Sequence, residues 1–431
     1  MTINRFYNLG KNKLFNINRS ITGKDTLKTL KIIKQNLSGL KIGKFRSGTK
    51  VFDWTIPPEW NVSDAYILDK NSKKIVDIKK NNLHLVGYSL PVNKVMSKKD
   101  LSKKLHSISK QPNAIPYLTS YYKKKWGFCI TDNFRKKYEK KYKDQDKFKV
   151  VIKSSFKKKG FLNYGEFLIP GKSKKEILIS TYVCHPSMAN NELSGPIVSM
   201  LLINFFRKYK NLDKSLRFLF IPETIGSIAY LSKNLQMLKN NVIGGFNLSC
   251  IGDERQHSCM FSKYKNTQSD LAIIEAYKTL KIKYKIYPFT ERGSDERQYN
   301  SPGVDLPIAS IFRTKYNEFP EYHTSLDNFK LVTKKGIKGG YKVVRKAIEI
   351  LLEKIIPKTT IVCEPQLGKR NLYQNLSNKL NYKNRKSKKL LSFLQYSDGR
   401  NNIEQISKFI KISYHDANIF YKLLKNKKLL D

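Results

Sequence analysis

The amino-acid sequence predicts an α/β sandwich around a largely parallel central sheet, with a small β-rich module on one side and a helical end domain after it. Three observations carry this. Strand-like and helix-like apolar runs alternate from about residue 147 to 355. All three tryptophans, Trp54, Trp60 and Trp126, fall between about 45 and 130, among short β-like runs broken by Pro57, Pro58 and Pro91. The chain closes on "LLSFLQYSDGRNNIEQISKFIKISYHDANIFYKLLKNKKLLD", which holds three short helical periods.

Taken in order, residues 26–38 repeat Leu and Ile at helical spacing behind Asp25, a residue type suited to an N-cap. Between 45 and 130 the runs "KVFDWTI" and "LHLVGYSL" read as strands. In the alternating stretch "EILISTYVCH" is a buried-type strand, "GPIVSMLLINFFRKY" a helix, "SLRFLFIPE" and "VIGGFNLSCIGD" strands. "DLAIIEAYKTL" follows as a helix, "PIASIFR" as a strand and "IKGGYKVVRKAIEILLEKI" as a closing helix. In such sheets sites form in the crevice at the carboxyl ends of the strands. The connector "EPQLGKRNLY" and a Lys/Asn-rich segment, 373–389, lead into the last helices, whose spacing has a winged-helix flavour.

A chain of 431 residues has room for two or three domains and a large core, and 40% apolar content excludes a wholly disordered protein. The longest nearly apolar run, Ile197 to Phe206, is about half of the roughly 20 residues a membrane span needs, so no membrane association is expected. The start "MTINRFYNLGKNK" has no apolar stretch behind its basic residues, so no secretory signal is expected and the cytoplasm is the expected location. Cys129, Cys184, Cys250, Cys259 and Cys363 form no CxxC pair and read as reduced thiols. The formal charge is +49, yet only 14 of the 83 basic residues are Arg. Dispersed Lys makes a solvated surface, whereas specific phosphate and base contacts favour the forked guanidinium. The charge therefore reads as composition rather than as a polyanion groove.

Three polar clusters fall at strand ends. "CHPSMANNELSG" places His185 after a buried strand, with Asn191 and Glu192 in the following loop; a lone histidine there is either structural or a ligand. "FLFIPETIGS" puts Glu223 directly after an apolar strand, where burial raises a carboxyl toward the range useful for a general base; the alternative is a charge favourable at the start of a helix. "YHTSLDN" sets His323 and Asp327 ahead of the last helix, and an Asp there can hold the second nitrogen of an imidazole ligand. Two histidines and a glutamate match the donor set with which zinc polarises a carbonyl and activates water. "GSDERQYNSPGVDLP" places Asp295 and Arg297 either in a substrate pocket, where the Arg would hold a carboxylate, or in an internal pair that fixes the loop.

In their order, "STYVCHPSMANNELSG", "FIPETIGSIAYL", "GSDERQYNSPGVDLP" and "YHTSLDN" resemble the core motifs of zinc aminopeptidases of the M28 type. With "NRSITG", "VFDWTIPPEWNVSDAYI" and "EPQLGKRNLY", the chain resembles more closely the bacterial aminopeptidase-like branch of the DUF4910 and DUF2172 group, over nearly its whole length. The resemblance implies a phosphorylase/hydrolase-like (zinc exopeptidase) core over 1–45 and 131–357, a small β-rich inserted domain over 46–130, and a winged-helix-like domain over 358–431. It further implies that His185 and His323 are metal ligands, together with the Asn191 loop, and Glu223 the general base. Thr224 and Ser249 stand where M28 enzymes carry further acidic ligands, and Asn191 takes the place of a metal-bridging Asp. An amide oxygen brings no charge to the cation, so at most one zinc ion, weakly held, is expected, with Glu192 or Asp253 as substitute ligands.

Two functions follow. The first is a metal-dependent aminopeptidase-like hydrolase of an N-terminal or small amide bond, acting on a small peptide or amide. The second is a catalytically silent binding protein that keeps the fold. In the second, the C-terminal domain would contact a protein or nucleic-acid partner; for that domain a packing or partner module is the plainer reading and DNA recognition the other.

Overall fold

A computed structural model describes residues 2–372 and 386–431. Most of the Lys/Asn-rich segment read at 373–389 lies outside the described residues.

An eight-stranded sheet forms the centre, in the spatial order Lys41–Arg46, Phe161–Ile169, Ser215–Ile221, Glu176–Tyr182, Val242–Leu248, Ile308–Phe312, Ser258–Met260, Lys285–Tyr287. The four middle strands run parallel. Phe161–Ile169 and Ser258–Met260 join them antiparallel, one on each side. Glu176–Tyr182, Ser215–Ile221 and Val242–Leu248 are buried at every position, which is why they read as unbroken apolar runs rather than alternating ones. Successive side chains still part to opposite faces: Ile177 and Ile179 enter one core and Leu178 the other.

Helices Ser194–Phe206, Gln268–Thr279 and Lys334–Glu353 pack on the first face, with Lys24–Asn36 adding Leu30 and Ile33. Helix Ile225–Asn241 covers the other through Tyr230, Leu231 and Leu238. The helix expected behind an Asp25 cap begins earlier, at Lys24, and the N-cap position belongs to Gly23 at φ 103°. A Cβ on Gly23 would lie 2.2 Å from the Trp60 carbonyl oxygen, so only glycine fits that turn, and Asp25 falls inside the first helical turn.

A second, four-stranded sheet has the order Lys74–Asp77, Glu59–Leu68, Lys147–Lys157, Val92–Ser97, antiparallel throughout. Its long inner strand, Lys147–Lys157, comes from beyond residue 130. "KVFDWTI" yields the short hairpin Lys50–Val51 and Trp54–Thr55. "LHLVGYSL" is no strand: it opens with the single turn Asn82–His84 and continues as a buried loop. Its backbone bonds go to an equally irregular segment, Val86 N–H to Gly127 and Gly87 N–H to Leu118, and Tyr88 at φ 63° breaks the extended path. The apolar alternation there signalled burial, not pleat. The core of this module includes Tyr182, Cys184, Ile225 and Ile228, so it rests on a strand end and a helix start of the large sheet.

The C-terminal unit comprises helices Lys386–Tyr396, Ile403–Phe409 and Tyr414–Asn426 around Phe393, Ile406, Phe420 and Leu424. Among the described residues no helix is long and apolar enough to cross a membrane.

Candidate active site

Register brings the first two candidates together. Tyr182 pairs with Ile221 at the carboxyl ends of adjacent parallel strands, and the chain runs on from these ends to His185 and Glu223. Nε2 of His185 lies 3.6 Å from Oε2 of Glu223. His323 arrives from the loop after Ile308–Phe312, and its ring centre stands 5.5 Å from that of His185. Tyr117, from the long segment between Val92–Ser97 and Lys147–Lys157 of the four-stranded sheet, packs edge-on against both imidazoles at 5.1 and 5.2 Å. Its N–H donates to the His323 carbonyl at 2.8 Å, and Tyr322 stacks on the His323 ring at 3.9 Å.

Ala189–Leu193 forms a π-helical turn that runs straight into the helix Ser194–Phe206. Asn191 is buried, and its Oδ1 accepts the Tyr182 hydroxyl at 2.8 Å. The Asp327 carboxylate accepts three successive N–H groups, from Ala189, Asn190 and Asn191, at 3.2, 2.6 and 2.9 Å. Asp327 therefore holds the loop. The carboxylate on an imidazole nitrogen is Glu192, whose Oε2 is 2.9 Å from Nδ1 of His185. Behind Glu192 lies Arg19 of "NRSITG", fully buried, with Nε 3.4 Å from Oε1. Asp253 is turned away: it takes the Asn190 amide, the Thr314 hydroxyl and N–H, and the Arg255 N–H.

Asp295 and Arg297 brace the turn that carries Glu223. Thr224 has φ 64° and ψ −81°, a conformation a β-branched residue rarely adopts. Oδ1 of Asp295 accepts the Thr224 N–H at 2.7 Å and the Ser227 hydroxyl at 2.8 Å, and Arg297 donates to the Thr224 hydroxyl at 2.8 Å. Of the two sequence readings of this pair, these contacts are those of a loop-fixing one.

Electrostatics follow from burial. Both imidazoles are held down at about 3, His185 by burial and then the Arg19 charge, His323 by burial and then His185, so both are neutral and keep a lone pair for a cation. Burial, then the charge of Asp295, pushes the Glu223 carboxyl up to about 8. Two imidazoles on one tetrahedral zinc, at Zn–N of about 2.0–2.1 Å, have ring centres about 5 Å apart, close to the spacing found here. The donor chemistry and that spacing fit one zinc ion between His185 and His323. Among the described residues, the only three His, Cys, Asp or Glu donors within 4.8 Å of one another are Cys184, His185 and Glu192. That trio lies on the Nδ1 side, where the guanidinium of Arg19 is already the positive centre.

Sequence reasoning did not find Arg19 or Tyr117 as site residues. "NRSITG" entered only as part of a resemblance, and nothing periodic marks a residue that reaches a site across the fold.

The fold is similar to that of solved M28-type aminopeptidases. The zinc aminopeptidase BSAP of Bacillus subtilis superposes with a TM-score of 0.59 at 12% identity, over 80% of this chain and 93% of that one. A peptidase M28 precursor of Shewanella amazonensis gives 0.58 at 10%, over 82% and 93%. The chain belongs to the family described as a domain of unknown function, DUF4910, matched over residues 7–354, and residues 355–431 match a winged helix-turn-helix family. It is 40% identical, over 97% of its length and 95% of the other's, to a Clostridium acetobutylicum protein named as a candidate polysaccharide biosynthesis protein with an aminopeptidase-like domain. A crystal structure of a candidate peptidase from the same organism aligns over 100% of this chain and 96% of that one, with a TM-score of 0.78 at 38% identity.

Proposed function

We infer that this protein is a metal-dependent hydrolase of an amide bond at a free amino terminus, or of a related small amide. The observation that carries the reading is the convergence of two neutral imidazoles and one carboxylate of raised pKa at the carboxyl edge of the sheet. His185 and His323 would hold a single zinc ion, which when bound polarises the substrate carbonyl and acidifies water. Glu223 takes the proton from the attacking water and passes it to the leaving amine; a carboxyl titrating near neutrality serves both transfers. Asn191 supplies no charge to the centre, and its oxygen is engaged by Tyr182, which supports one ion rather than two. Asp295 and Arg297 keep Glu223 in place. The winged-helix unit would meet a protein or nucleic-acid partner.

The test is amine release from a panel of aminoacyl amides and dipeptides by zinc-loaded protein. Wild type should release amine, and Glu223→Gln should lower the rate by about 10²-fold or more. Equal, background release by both would overturn the reading and favour a silent binding protein.

A further inference from the structure

The amino ends of the same parallel strands carry a second recess, a cleft of about 580 Å³ between the α/β core and the C-terminal unit. Its core wall includes Lys239, Val242 at the start of strand Val242–Leu248, and Lys265 in the loop before helix Gln268–Thr279. Its other wall holds Lys358 and Arg400. Two side chains join the walls. Lys175, just ahead of strand Glu176–Tyr182, donates through Nζ to the Ile356 carbonyl and, at 3.1 Å, to Oδ1 of Asp431. Nε2 of Gln268 donates to the Arg400 carbonyl at 2.7 Å.

Positive charge in this cleft exceeds what its own acids answer. Among the described residues Lys239, Lys265, Lys358 and Arg400 make no ion pair. Asp305 is engaged by Lys263, and Oδ1 of Asp398 accepts the N–H groups of Arg400 and Asn401 in its own turn. Oδ1 of Asp431 is shared between Lys175 and the Lys358 N–H, each at 3.1 Å. Composition accounts for lysines in water, but not for Lys175, whose side chain is only 18% exposed. An ammonium drawn into a junction loses hydration and needs an anion. Burial holds that of Lys175 below its ordinary value, and the charges of Lys425 and Lys358 push the same way against the pull of Asp431.

We propose that this cleft binds a small molecule carrying two adjacent phosphate groups, a free diphosphate or the diphosphate of a nucleotide, held between the cations of the two walls. Those cations form two sets, one per wall, so a ligand with two anionic groups meets both. Phosphate oxygens accept from ammonium and guanidinium donors alike. The volume lies within the roughly 300–1,000 Å³ of small-molecule sites. Tyr264, 69% exposed on the lining, offers a ring on which a base can stack, and there the two sources differ. The cleft lies at the opposite end of the strands from His185, so its ligand is not the substrate of the hydrolysis. It fastens the winged-helix unit to the core.

The experiment is calorimetric titration of the full chain, at about 0.15 M salt and without added metal, with inorganic pyrophosphate and separately with ADP. Wild type should bind pyrophosphate, and Lys358→Gln and Arg400→Gln should each weaken it by about tenfold. Lys94→Gln removes the same charge from the exposed part of strand Val92–Ser97, outside the cleft, and should leave the affinity unchanged. Arg400 is exposed, so its variant decides even if Lys358→Gln does not fold. ADP binding that is tighter than that of pyrophosphate, with the gain lost in Tyr264→Ala, assigns a nucleotide; ADP no tighter assigns the free diphosphate. Uptake of neither compound, an equal loss in Lys94→Gln, or uptake of a DNA duplex alone overturns the proposal.

Discussion

Nε2 of His185 faces Oε2 of Glu223 across 3.6 Å, although the two residues belong to separate strands and separate sequence clusters. Their neighbourhood is a consequence of parallel register, Tyr182 against Ile221, and it places a lone pair and a proton acceptor at one point of the sheet edge.

The neutral imidazoles bear on metal binding. With both histidines held at about 3, first by burial, no proton has to leave them when zinc enters between pH 7 and pH 5. Two ordinary histidines, with pKa about 6.5, would weaken zinc about a thousandfold over that interval. We expect a change below tenfold by chelator competition in wild type, and loss of at least about 100-fold in affinity at pH 7 for His323→Ala.

The turn at Thr224 makes a paired prediction on stability. Thr224→Ala keeps the positive φ and removes the hydroxyl that Arg297 reaches, whereas Thr224→Gly removes the same hydroxyl and releases the strain. The glycine variant should be the more stable of the two by about 1 kcal/mol in urea unfolding. Asp295→Ala, which strands the Thr224 N–H and the Ser227 hydroxyl, should lower stability by about 1–3 kcal/mol.

Arg255 grips Glu321 with two hydrogen bonds, 2.8 and 2.7 Å, just ahead of His323. These bonds hold the Glu321 carboxyl below its ordinary value. A depressed acid contributes stability that is fully present above the unfolded value, about 4.3, and that is lost as pH falls through the folded one. Glu321→Gln should therefore be less stable than wild type at pH 7, by no more than about 1 kcal/mol because the pair is partly exposed, and the gap should close toward pH 3.

Gly195 lies in the first turn of the helix Ser194–Phe206, directly after the π-helical turn of the site. A Cβ there would stand 2.2 Å from Oγ1 of Thr181 and 2.5 Å from the Leu248 carbonyl oxygen. Gly195→Ala should lower the unfolding free energy by about 1–3 kcal/mol, because the helix cannot approach the sheet without displacing backbone. An unchanged midpoint would show that this contact yields easily.

The alternation of strands and helices and the strand-end positions of His185 and Glu223 are legible in the residues alone. A parallel strand covered on both faces must be apolar throughout, so the first polar residue after it marks the edge. The same logic misread 83–90, where buried apolar residues line a loop, because alternation reports burial and a loop can bury side chains too. Which groups touch is set by the packing of the folded chain. Arg19 meets Glu192, Asp327 binds loop amides instead of an imidazole, and Asp295 with Arg297 grips Thr224. Each contact joins segments far apart in the chain through one or two side-chain atoms. Such pairings leave no period in either segment and exist only once the cores have brought the backbones together.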